Sequence, residues 1–203
     1  MSKYILQGGG GHAAVVLDCL FASKEEVTGI FDPNASGDLL EIPFIGSYDP
    51  EKEKDSLVII SIGDNTLRKK VASATFHEFG NVIHPTVQIS AYSEIGNGNM
   101  IIHNAILQAR SKIGNHVILN TASQVDHDCN IGDYVHVAPG AVLCGNVKIG
   151  EGSLIGAGSV ILPGINIGKW CTVAAGSVVF KDVPDNAVVL GNPARVIKYN
   201  KEN

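Results

Sequence analysis

From Ile83 to Val179 every sixth residue is aliphatic, through Ile89, Ile95, Ile101, Leu107, Ile113, Leu119, Val125, Ile131, Val137, Leu143, Ile149, Ile155, Ile161, Ile167 and Val173. Neither the 3.6-residue period of a helix nor the alternation of a plain strand produces this register, which is a hexapeptide repeat. Ile-Gly returns at Ile95-Gly96, Ile113-Gly114, Ile131-Gly132, Ile149-Gly150 and Ile167-Gly168, always three hexads apart, so three hexads make one turn of a coil. Four positions after each aliphatic stands a mostly small residue, among them Ser111, Ser123, Cys129, Ser153 and Cys171, which suits a tight corner inside a narrow triangular coil. Each turn buries its apolar row only by stacking on the next.

About 80 residues precede the repeat, enough for one small α/β unit. Residues 4–7 read as a short strand, Gly8-Gly9-Gly10-Gly11-His12 as a loop, 13–21 as an apolar helix and 27–31 as a second strand ending at Asp32-Pro33. Residues 56–62 form a third strand, followed by Gly63-Asp64-Asn65 and a helix from about Thr66 to Phe79 capped by Asp64 or Asn65. The chain thus divides into residues 1–80 and 81–203, with the boundary near Gly80 and almost no linker, which implies two domains packed firmly together. After Val179 the register stops at Lys181-Asp182-Val183-Pro184, and the tail around Gly191-Asn192-Pro193-Ala194-Arg195 is expected to fold back over the last coil as a cap.

No apolar run is long enough to span a bilayer, and the stretch from Met1 to Tyr4 leads into a strand without the core and cleavage site of a signal peptide, so a cytoplasmic protein is expected. The net charge is -5 and no Lys/Arg cluster is present, which argues against nucleic acid as a partner. Four cysteines without paired spacing argue against a zinc site or a disulfide framework, and no metal is expected. Cys129 and Cys171 fill the small-residue slot of their hexads, Cys19 lies in the apolar part of the first helix, and Cys144 follows an inward aliphatic; core filling explains them without thiol chemistry.

Two constellations carry chemistry. Gly8-x-Gly10-x-x-Ala13 between a strand and a helix fits the dinucleotide fingerprint loosely, and Asp32 lies where an acid can bind a ribose hydroxyl. A full dinucleotide fold needs two such halves, so a mononucleotide carrying a sugar on its diphosphate fits this unit better; the plain alternative is a tight turn in an ordinary α/β unit. In the repeat, His127 occupies the third hexad position, which points outward, flanked by Asp126 and Asp128, which can hold the imidazole in one tautomer as a general base requires. One turn later the same corner holds Gly145, whose N–H should lie about one strand spacing, ~4.8 Å, from the His127 rung. A base beside a bare amide fits an oxyanion site for acyl transfer. The alternative for His127 is a solvated surface histidine; His77, in the second helix, and His84, before Pro85, read as solvated or boundary residues. His136 falls half a turn from His127, on a different corner of its own coil.

Over nearly its whole length the chain resembles the bacterial nucleotide-sugar acetyltransferases of the PglD and NeuD type. The resemblance rests on Gly-Gly-Gly-Gly-His-Ala near the start, Ile62-Gly63-Asp64-Asn65 with Arg68, Val125-Asp126-His127-Asp128-Cys129, His136-Val137-Ala138-Pro139-Gly140-Ala141, Gly145-Asn146-Val147-Lys148-Ile149-Gly150 and Gly191-Asn192-Pro193-Ala194. It implies an α/β Rossmann-like domain followed by an all-β left-handed parallel β-helix; the hand comes from the resemblance, since spacing does not fix it. It implies an acetyl-CoA-dependent N-acetyltransferase acting on the C4 amine of a UDP-linked 4-amino-4,6-dideoxy sugar, for bacterial surface glycan biosynthesis, as a homotrimer with active sites between adjacent β-helices. Carried over by position, His127 is the general base, Asp128 its acidic partner and Gly145 the amide that binds the thioester carbonyl. His136 stands beside the CoA thiol end, Ala157 and Ala175 along the pantetheine, and Gly10, Gly11, His12, Asp32 and Gly63 in the nucleotide-sugar pocket. Lys148, Lys169, Lys181 and Arg195 are candidates for the CoA phosphates. Relatives commonly carry a second acid after the position of Asp32, where this chain has Pro33. Two other readings share these motifs: a sialic-acid O-acetyltransferase, and a non-catalytic trimeric scaffold that binds nucleotide-sugar.

Overall fold

The computed structural model describes residues 2–200; Met1 and residues 201–203 of the expected cap lie outside the described residues. The first unit runs β1 (Lys3–Gln7), α1 (Gly11–Ala22), β2 (Glu26–Phe31), a short hairpin β3 (Asp38–Leu39) and β4 (Ile42–Pro43), β5 (Leu57–Ile60) and α2 (Asn65–Ala72). β1 lies between β2 and β5, all parallel, which brings the ends of the three strands, Gly8, Asp32 and Gly63, to one side of the sheet. Ile5, Leu6, Val58, Ile59 and Ile60 are fully buried, the continuous apolar run of a parallel strand covered on both faces. Gly8 has φ +106, a backbone conformation that a side chain would strain, so the first turn requires its glycine.

α2 stops at Ala72 rather than at Phe79. The Tyr48 hydroxyl accepts from the Phe76 N–H, and the Val58 N–H donates to Glu78 O while Gly80 N–H donates to Val58 O, so the chain is drawn out beside β5. The same packing changes the reading of His77: it is buried, with Nδ1 2.9 Å from the Tyr48 hydroxyl and Nε2 3.0 Å from Lys52 O. The start of α2 is capped as expected by Asp64, whose Oδ1 accepts from Leu67 N–H at 2.7 Å.

From Val82–Ile83 to Val178–Val179 the chain winds as two-residue strands that pair with one another at a spacing of eighteen residues, as Ile106 pairs with Gln124 and Gln124 with Val142. This makes a parallel coil of three faces. Face I carries Met100–Ile101, Ile118–Leu119, His136–Val137 and Leu154–Ile155; face II Ile106–Leu107, Gln124–Val125 and Val142–Leu143; face III Lys112–Ile113, Asn130–Ile131 and Lys148–Ile149. The hexad aliphatics point inward, and Val125, Leu143, Ile155, Ile161 and Val173 have no exposed surface, each contributing ~1.5–3 kcal/mol of burial. The small residues share this interior and also close the corners: Ser111 Oγ donates to Asp126 O and accepts from Cys129 N–H, and Ser153 does the same for Gly168 O and Cys171. The Ile-Gly pairs mark where rungs come closest; a Cβ on Gly150 would lie 2.6 Å from Lys169 N.

The outward column of face I explains how the two units meet. Val82, Met100 and Ile118 are buried against α1, in one cluster with Leu6, Val16, Leu17 and Leu20. Beyond the last repeat, residues 187–191 add a rung to face I, residues 194–199 return antiparallel to it, and Ala194 packs against the interior of the coil.

Candidate active site

Eighteen-residue stacking fixes three columns of corner residues. The edge between faces II and III carries Ala109, His127, Gly145, Pro163 and Lys181, and the edge between faces I and II carries Thr121, Pro139, Ala157 and Ala175. The expected pairing of His127 with Gly145 is present in close contact: a Cβ built on Gly145 would fall 2.6 Å from Cε1 and 2.7 Å from Nε2 of His127. The ring therefore lies directly on the glycine, and only a residue without a side chain leaves it there. His127 O accepts from Asn146 N–H at 2.9 Å, and Nδ1 is 2.7 Å from Asp128 Oδ2. With Nδ1–H donated to the carboxylate, Nε2 carries the free lone pair, beside Gly145. Asp126 Oδ1 accepts from the His127 backbone N–H at 2.7 Å and so orders the corner rather than the ring. Arg110, which the sequence reading left out, grips Asp128 with two nitrogens, Nε at 2.6 Å from Oδ1 and Nη2 at 2.7 Å from Oδ2. These bonds, Arg110 first and His127 second, hold the Asp128 carboxyl well below the usual carboxylate range.

The Gly145 N–H makes no hydrogen bond among the described residues, and neither do those of Ala157 and Ala175. The two alanines stack on Pro139 as expected, with Gly158 N–H donating to Pro139 O and Gly176 N–H to Ala157 O. They stand, however, on a different edge from His127, across face II. Of the basic candidates, Lys181 alone shares the His127 edge; Lys148 points out from face III, Lys169 is on the third edge and Arg195 is on the cap.

The second cluster lies where the first unit meets face I. Gly10 is the N-cap of α1 and has no side-chain capping bond; the first turn carries no acid, and a Cβ on Gly10, Gly11 or Gly63 would meet nothing within 4 Å. Free N–H groups at a helix start, facing open space, suit an anionic oxygen ligand. Asp32 closes this loop: Oδ2 accepts from Gly9 N–H at 2.8 Å and Oδ1 from Asn34 N–H at 2.9 Å. His136 is on a strand of face I and not on a corner, because it continues the outward column of Val82, Met100 and Ile118. Its Nδ1–H donates to Gly63 O at 3.3 Å and its Nε2 accepts from Asn120 Nδ2 at 3.1 Å, while the His12 ring is 6.3 Å away. Burial first, and the nearby Arg68 guanidinium second, press both His12 and His136 down to about 4, so both rings are neutral at pH 7. His136 thus belongs with Gly63 and His12, not with the His127 of its own chain. A cleft of about 510 Å³ continues from this cluster, lined by Gly63, Asn65, His136, Leu154, Trp170 and Asn200.

Arg68 holds the cluster to the coil. It is fully buried and makes no ion pair among the described residues, and its five N–H groups reach five acceptors: Ile62 O, Gly63 O, His116 O, Tyr134 O and Asn65 Oδ1. The Ile62-Gly63-Asp64-Asn65 motif with Arg68 is therefore one device, a loop after β5 tied to the solenoid by a buried fork. The thiols take no part: burial pushes Cys19 up to about 12 and raises Cys129 and Cys171 as well. Among the described residues no group of three or more His, Cys, Asp or Glu is arranged to hold a metal ion, and no helix is long and apolar enough to cross a membrane.

A hexad coil with an imidazole seated on a bare amide, joined to a Gly-rich α/β unit, defines a hexapeptide-repeat acyltransferase. Residues 3–75 match the PglD N-terminal domain and residues 146–181 the bacterial transferase hexapeptide (six repeats). The acetyltransferase domain of PglB from Neisseria gonorrhoeae, also solved in complex with acetyl coenzyme A, is 33% identical with a TM-score of 0.90, over 97% of this chain and 100% of that one. A mutant of perosamine N-acetyltransferase from Caulobacter crescentus, in complex with CoA and GDP-perosamine, is 33% identical with a TM-score of 0.93, over 98% of each chain. The chain belongs to the sugar acetyltransferase family of the PglD type. A curated relative, an uncharacterised protein of Acanthamoeba polyphaga mimivirus, is 33% identical over 95 residues, and the match spans 45% of this chain but only 19% of that protein's length.

Proposed function

We propose that this chain transfers the acetyl group of acetyl-CoA to the C4 amine of a 4-amino-4,6-dideoxy sugar carried on a nucleoside diphosphate, with UDP as the nucleotide and His127 as the general base. The observation that carries the reading is the His127 ring seated on Gly145, with Asp128 on the opposite nitrogen. The sugar amine attacks the thioester carbonyl, the C–N bond forms and the C–S bond breaks. His127 Nε2 takes the proton from the amine and returns it to the departing sulfur, and the Gly145 N–H donates to the carbonyl oxygen as it gains charge. The undonated N–H groups of Ala157 and Ala175 suit the amide carbonyls of a pantetheine arm, and the loop of Gly10, Gly11, His12, Asp32 and Gly63 suits the ribose and diphosphate. The GDP-perosamine held by the Caulobacter relative supports a nucleotide-linked amino sugar as acceptor. Because the base and the pantetheine column stand on different edges, the reading includes a homotrimer in which each site draws on two chains. The reading places the reaction in the cytoplasm, where acetyl-CoA and a nucleotide-linked sugar would both be at hand.

The test is a screen of UDP-, dTDP- and GDP-linked 4-amino-6-deoxy sugars with acetyl-CoA, following thiol release, together with His127→Asn. That variant is expected to fold and to lose about 10²–10⁴-fold in kcat. Full turnover by His127→Asn overturns the base, turnover of GDP sugars alone overturns UDP, and release of thiol only with hydroxy-sugar acceptors overturns N-acetylation.

A further inference from the structure

Arg110 stands eighteen residues before Asp128, one rung away on the same edge, with Asp128 N–H donating to Ala109 O at 3.1 Å between the two rungs. Its fork takes both carboxylate oxygens, at 2.6 and 2.7 Å, while Oδ2 also accepts from His127 Nδ1 at 2.7 Å. The Arg110 side chain is 68% exposed. The pair is exposed, and the oxygen that takes its second prong, Oδ2, is the one that also holds the His127 ring, so the two-pronged geometry bears on the imidazole as well as on the fold. What the fork does is mechanical. A carboxylate held only by one imidazole can rotate about its own side-chain bonds, whereas one gripped at both oxygens has its plane fixed. The imidazole hydrogen-bonded to that plane, and pressed on its other side by Gly145, then has a single orientation.

We infer that Arg110 is a positioning residue for the transfer reaction: acting through Asp128, it fixes the plane and tautomer of His127 so that Nε2 faces the acceptor amine. The inference rests on the acetyl-transfer reading above. The lysine that is the usual substitute for arginine keeps the charge and loses the fork, which separates the two contributions.

The experiment is a double-mutant cycle on kcat with saturating amino sugar and acetyl-CoA. Arg110→Met is expected to lower kcat about 10-fold, with KM for both substrates within about 2-fold and an unchanged melting temperature. Arg110→Lys should recover part of that loss. In an Asp128→Ala background Arg110→Met should cost nothing more, because an arginine that acts through Asp128 has nothing left to act on. A further loss in that background, a rise in KM in place of the fall in kcat, or wild-type kcat in Arg110→Met overturns the inference. His127→Asn run beside it keeps the two readings apart. If His127→Asn is dead while Arg110→Met is fully active, only the role of Arg110 falls, whereas an active His127→Asn removes the base itself.

Discussion

A methyl group added at Gly145 would sit 2.6 Å from Cε1 of His127, closer than real side-chain carbons approach, and the ring, whose side chain is 55% exposed, is what would give way. Gly145→Ala should therefore leave the coil folded and push the imidazole off its amide. Displacing a reacting group by about 1 Å can cost on the order of 10²-fold, and we expect a kcat loss of that size with thermal stability close to wild type, measured by thiol release and thermal unfolding. An alanine variant with full kcat would mean that the ring works from another position. The His127–Gly145 contact was legible in the sequence because an eighteen-residue spacing is also a spatial one in a coil of three hexads per turn. Arg110 obeys the same arithmetic relative to Asp128, and the signal was there to be found: an opposite charge one full turn before the acid. Taken alone, an arginine at an outward corner reads as a solvated charge, and only the pairing across one turn gives it a role.

Within the elements, the joint between α2 and face I carries the chain's most demanding electrostatics. Arg68→Met would leave Ile62 O, His116 O and Tyr134 O without their donor, while Gly63 O keeps the one from His136, and each buried carbonyl left unpaired costs about 1–3 kcal/mol. Chemical denaturation should register that loss, and Arg68→Lys should recover little of it, since an ammonium has three donors and no fork. Arg68 also shapes the response to acid. Burial first and its charge second press His12, His116 and His136 down to about 4, against about 6.5 in an unfolded chain. Between those values the unfolded chain binds protons that the folded one refuses, so the stability these neutral rings allow is complete above about pH 6.5 and is lost as pH falls toward 4. Each ring contributes a slope of up to about 1.4 kcal/mol per pH unit, and a melting temperature that stays level from pH 7 to 4.5 would refute it. None of this was readable in the sequence. His136 looked like a corner residue because a hexad marks inward positions clearly, while its outward strand position takes on meaning only once α1 is known to cover Val82, Met100 and Ile118 and to stop short of it.

At the scale of the whole molecule, the coil separates the two halves of the proposed chemistry. His127 and Gly145 stand on the edge between faces II and III, while Gly10, Gly63, His12 and His136 gather at face I, under the first unit. The repeat in the sequence was sufficient for the architecture, because each hexad is one side of a triangle; it was silent on which side the first unit would cover, since that depends on the outward residues of one face. The outward columns now distinguish the faces. Face III shows Glu94, Lys112, Asn130, Lys148 and Asn166, all polar, whereas the outward column of face II, beyond the exposed Gln88 and Gln124, runs Val142, Val160 and Val178, half-buried apolar residues between the two functional edges, with Ile106 between the glutamines. Face II is thus the side that a second copy would cover, and closing three such contacts gives the proposed trimer. Complementation tests this directly. Gly10→Val fills open space beside the loop without meeting the protein, so it should block the nucleotide-sugar and leave the fold intact, while His127→Asn removes the base. Each variant alone should be inactive. Co-expressed in equal amounts and purified as mixed assemblies, they should recover roughly a quarter of wild-type turnover if each site takes its base from one chain and its loop from another, because that is the share of pairings in which both contributions are intact. A mixture as inactive as its components, or a monomer mass by light scattering, would overturn the shared site, and the separation of the two clusters on different sides of the prism would then need a bound acceptor long enough to span it.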